Sequence, residues 1–110
     1  MNMETNILGT KYSLNEKNWK EDEILENNHD GYCDTSTKNL VVDEMKERKP
    51  GMKDDLSYYK KTVKRHEIIH GFLYDSGLDT CCHWACEEMV DWLAIQFPKL
   101  QKAFQETECI

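Results

Sequence analysis

The chain has 110 residues, and its 21 acidic against 14 basic side chains leave a formal net charge of −7. That length predicts one domain over residues 1–110, with room for one core and one site. The charge argues against a nucleic-acid surface, which needs clustered Lys and Arg, and no apolar run is long enough to span a bilayer.

The N-terminus, Met1-Asn2-Met3-Glu4-Thr5-Asn6, lacks the basic and apolar regions of a signal peptide, so a cytoplasmic protein is expected. Leu8, Tyr12 and Leu14 are in phase over residues 6–14 and predict a first strand. Residues 15–30 are polar and acidic, with Trp19, Ile24 and Leu25 as apolar anchors. They read as a loop with a short helical turn. Gly31–Asp34 and Asn39–Asp43 are β-prone runs around the polar Thr35-Ser36-Thr37-Lys38, which predicts a hairpin. With the first strand this makes a small antiparallel three-stranded sheet.

Glu44 to Asp55 is a charged connector with a turn signal at Pro50-Gly51, and Asp54 or Asp55 can cap a helix beginning at Leu56. From Leu56 to about Ser76, Tyr59, Val63, His66, Ile69, His70 and Leu73 recur at helical spacing, and Gly77 closes the helix. The basic run Lys60 to Arg65 reads as its solvated face. A second helix is expected from about His83 to Phe97, interrupted by Pro98, with a last helical stretch over Lys99–Glu106. The fold class is therefore α+β, a small sheet packed on two helices.

The first of these helices carries His66-Glu67-Ile68-Ile69-His70. Residues four apart lie one above the other on a helix, so both imidazoles can aim at one point. Zinc takes imidazole nitrogen readily. Glu67 projects about 100° round the helix, beside the metal and out of line with the histidines, where a base acting on water would stand. Such a trio can also meet by chance on a charged amphipathic helix, so its context decides.

That context is Cys86-Glu87-Glu88-Met89-Val90-Asp91. Glu87 and Asp91 are four apart and share a face of the second helix, which must pack beside the first because the loop between them is short. One carboxylate can ligate a metal, and the other can accept a hydrogen bond from a ligand histidine. Glu88 is followed four residues later by Trp92, which cannot accept one. Cys81, Cys82, His83 and Cys86 form a second cluster able to hold a soft metal, but not at the paired spacing of a zinc knuckle. The five cysteines, an odd number, are expected as reduced thiols.

His-Glu-x-x-His followed by Glu-x-x-x-Asp on a second helix resembles the gluzincin metallopeptidases. The short chain is similar to their minimal members, the minigluzincins, and in organisation to the ImmA/IrrE-type proteases of mobile elements and small phage-type proteins. The resemblance covers residues 5–98. It implies a minimal zincin-like fold, a bound Zn2+, and hydrolysis of a peptide or protein substrate through a zinc-activated water. It makes His66, His70 and Glu87 the metal ligands, Glu67 the general base and Asp91 the partner of a ligand histidine. It further implies a substrate strand alongside Asn39–Asp43. Tyr74 and His83 are possible oxyanion donors that sequence cannot place. Thermolysin-like gluzincins typically carry asparagine before the ligand glutamate, where this chain has Cys86. The competing reading is a non-catalytic zinc-binding regulatory or interaction module on the same fold, but such a module has no use for Glu67.

Overall fold

The computed structural model describes residues 2–27, 29–46, 49 and 53–110. The first strand expected over residues 6–14 is two strands, β1 (Asn2–Ile7) and β2 (Thr10–Lys17). Leu8 and Gly9 between them have φ of 52° and 90°. Two successive positive φ values make the tight turn that matches strand twist, so the segment folds back instead of running on. Asn6 Oδ1 accepts from the Gly9 N–H at 2.8 Å and holds the corner.

A 3₁₀ turn (Trp19–Glu21) and one helical turn, α1 (Glu23–Glu26), fill the polar stretch after β2. Asp22 Oδ1 accepts from the Ile24 and Leu25 N–H groups and starts α1. The expected hairpin is β3 (Gly31–Asp34) and β4 (Asn39–Asp43). The sheet nevertheless has four strands in the order β1-β2-β4-β3, and β2 pairs β4 in parallel. The expectation of three antiparallel strands is therefore corrected. Leu40, Val41 and Val42 are all fully buried. A strand apolar on both faces belongs in the middle of a sheet, which sends β4 inward and leaves β3 at the edge.

The long helix is α2 (Leu56–Asp75), capped by the Asp55 carboxylate and followed by Gly77 at φ 79°. The turn expected at Pro50-Gly51 lies outside the described residues. Ile7, Tyr12, Leu14 and Leu40 pack with Ile68 of α2, while Val42 and Met45 pack with Val63, Leu56 and Tyr59. Polar ties hold β2 to both ends of α2. Thr10 Oγ1 and Tyr12 OH donate to Asp75 at 2.5 and 2.6 Å, and Lys60 and Lys64 reach Glu16 at 2.9 and 2.8 Å. The basic run is thus not merely a solvated face. Two of its three lysines converge on a carboxylate only 7% exposed.

The second long helix, α3, spans Glu87–Glu106 without a break, with Pro98 inside it. It starts later than expected, so His83 and Trp84 lie in the loop before it. No described helix is long and apolar enough to cross a membrane.

Candidate metal centre

Helical spacing sets the two histidines of α2 one turn apart, and their Nε2 atoms lie 3.0 Å from each other. Glu87, the first residue of α3, reaches both. Its Oε1 is 2.6 Å from His70 Nε2 and its Oε2 is 3.2 Å from His66 Nε2. A carboxylate in a helix's first turn is also favoured by the helix dipole. On the other side of the ring, His66 Nδ1 lies 2.7 Å from Asp91 Oδ1. That contact holds the ring through Nδ1 and leaves Nε2 as the nitrogen that faces Glu87 and His70.

The donor set suits a metal ion. His66, Glu67 and His70 bring ligand atoms within 4.8 Å of one another, as do His66, Glu87 and Asp91. Ligands about 2.0–2.1 Å from a tetrahedral zinc stand about 3.3 Å apart. The His66–His70 and His66–Glu87 separations of 3.0 and 3.2 Å are close to that, and the His70–Glu87 contact is tighter. Two imidazoles and one carboxylate meet at one point, while Asp91 sits on the nitrogen facing away from it.

Glu67 lies on the inner side of α2 and is 5% exposed. Burial, and then the charges of Glu87 and Asp91, push its carboxyl up to about 8. Gly31 is what lets β3 pass so close to it. A Cβ at Gly31 would stand 2.8 Å from Val63 Cγ1, 3.0 Å from Val41 O and 3.1 Å from Glu67 Oε2.

An open cleft runs between the edge strand and the helices. On one flank it is lined by Gly31, Tyr32, Cys33, Thr35, Tyr74 and Asp79, and on the other by Tyr58, Tyr59, Thr62, Asp91 and Ile95. Gly31, His66, Glu67 and Glu87 belong to both flanks. Tyr74 lines the cleft, whereas His83 does not. The substrate strand expected at Asn39–Asp43 is corrected: β4 is paired on both sides, by β2 and β3, and has no free edge.

All five cysteines are free, and none of the metal-competent groups among the described residues includes Cys81, Cys82, His83 or Cys86. Cys33 is half-buried in the cleft, and its thiol is pushed up to about 11 by burial and then by Glu67. Sequence reasoning missed Cys33 and Gly31. The signal for Gly31 was available, since a glycine opening a strand often marks a close backbone approach. The Glu87–Asp91 pairing survives the later start of α3 because it needs only the four-residue step.

No protein-family model matches this chain, and comparisons with curated proteins and with solved structures return no match.

Proposed function

We propose that this protein is a zinc-dependent metallopeptidase in which His66, His70 and Glu87 hold the metal. The observation that supports it most is the meeting of His66 Nε2, His70 Nε2 and the Glu87 carboxylate, with the buried Glu67 beside them in an open cleft. When bound, zinc supplies Lewis-acid polarisation and makes water a stronger acid.

The chain's own groups do the rest. Asp91 holds the His66 ring by its Nδ1–H. Glu67 takes a proton from the attacking water and passes it to the leaving amine. The free edge of β3 offers main-chain pairing to an extended peptide. Asp43 N donates to Asp30 O, so the alternation of antiparallel pairs turns the N–H and C=O groups of Gly31 and Cys33 outward from β4. Gly31 passes close to Glu67, so a peptide paired there would run near that carboxylate.

The test is metal content of the purified protein, followed by cleavage of a broad peptide library. Glu67→Gln should keep stoichiometric zinc and lose roughly 10²–10⁴ in hydrolysis rate. Cleavage at the parent's rate would sink the mechanism, and loss of metal would make Glu67 a ligand. Stoichiometric zinc with no cleavage by the parent would favour the non-catalytic module.

A further inference from the structure

Pro98 stands inside α3 without ending it. A helical N–H normally donates to the carbonyl four residues back, and proline has none to give. The carbonyl left without a donor is that of Ala94, a residue with no exposed surface. Water cannot freely replace the missing N–H there, and a buried orphan carbonyl is costly. The replacement comes from α2: Arg65 Nε donates to Ala94 O at 2.6 Å. A second nitrogen of the same guanidinium bonds Thr62 Oγ1 at 3.2 Å and steadies the side chain.

Both ends of this contact are adjacent to the candidate centre. Arg65 immediately precedes His66. Glu87, Asp91, Ala94 and Pro98 are spaced at steps of four, three and four, so they share the face of α3 that meets α2. We propose that Arg65 is a positioning residue. By supplying the donor that Pro98 withholds, it locks the register of α3 against α2 and so holds Glu87 and Asp91 opposite His66 and His70. The effect on metal affinity rests on the reading of those four residues as a metal site; the clamp itself does not.

The experiment compares four full-length proteins: the parent, Arg65→Met, Pro98→Ala and the double variant. Zinc affinity is read by competition with a chelator, and thermal unfolding is read on the metal-free proteins. Arg65→Met should weaken zinc about tenfold, the lower end of what losing a ligand-supporting contact costs. The direction is diagnostic, because removing a nearby cation by charge alone would tighten binding of a divalent ion. Pro98→Ala restores an N–H to Ala94 O, so it should bind zinc like the parent and relieve most of the Arg65→Met loss in the double variant. The fall in Tm caused by Arg65→Met should shrink in the same background. Unchanged or tighter zinc binding in Arg65→Met, or an equal loss with and without Pro98, overturns the proposal. No zinc in the parent, with the Tm coupling intact, would sink the metal reading and leave the clamp standing.

Discussion

Asp91 Oδ1 lies 2.7 Å from His66 Nδ1, on the far side of the imidazole from the Nε2 that faces Glu87 and His70. The two carboxylates of α3 therefore use opposite nitrogens of one ring. Glu87 shares the point where a metal would sit, and Asp91 holds the opposite nitrogen and so aims Nε2 there. Zinc affinity should consequently fall by about 10–100-fold in Asp91→Ala, further in Glu87→Ala, and little in Glu88→Ala. Titration of the three variants against a chelator checks the order. Parent-like affinity in Glu87→Ala would remove it from the ligand set.

Cys81 Sγ and Cys82 Sγ are 3.8 Å apart, and neither residue belongs to a metal-competent group. Replacing Cys81, Cys82 and Cys86 together by serine should leave zinc stoichiometry unchanged, whereas His66→Ala should abolish it. Atomic absorption on the purified variants decides this, and a zinc-free triple variant would relocate the metal to the thiols.

Gly31→Ala places a methyl group 2.8 Å from Val63 Cγ1 and 3.0 Å from Val41 O. Neither the sheet backbone nor a core valine yields easily, so overpacking should cost about 1–3 kcal/mol and shift the edge strand away from Glu67. Urea unfolding should show the lost stability, and peptide cleavage should fall with it. A variant as stable as the parent would mean that β3 has more room than its packing indicates.

The Asp75 carboxyl is held below its ordinary value by the hydrogen bond from Thr10 and then by that from Tyr12. A depressed folded pKa adds stability above the unfolded value, near 3.9, and that stability disappears as pH falls through the folded value. The urea midpoint of Asp75→Asn should therefore trail the parent's at pH 7, and the gap should close towards pH 3. A gap of the same size at both pH values would show that the two hydroxyls do not depend on the charge.

The metal-competent cluster was legible because helical geometry is local. A four-residue step fixes which side chains share a face whatever packs against them, so His66 with His70, and Glu87 with Asp91, could be paired on paper. A cap at Asp54 or Asp55, and the left-handed Gly77, were readable for the same reason. The sheet was less so. Strand periodicity shows which residues alternate but not which strand is the neighbour, and the parallel β2–β4 pairing joins segments separated by β3. The unbroken apolar run Leu40-Val41-Val42, with no polar residue in alternation, was the available sign that β4 is central.

By itself, then, the sequence determined the α+β class, the two long helices and the residues that could converge. Tertiary structure alone decided that Glu67 would be buried against an edge strand, that β3 and not β4 would be that edge, and that α3 would run straight through Pro98. Each of these depends on a partner distant in the chain: Gly31 for Glu67, β4 for β3, and Arg65 for the Ala94 carbonyl. A local rule says only that proline leaves a carbonyl unbonded. Whether the helix ends there depends on whether another part of the fold brings a donor.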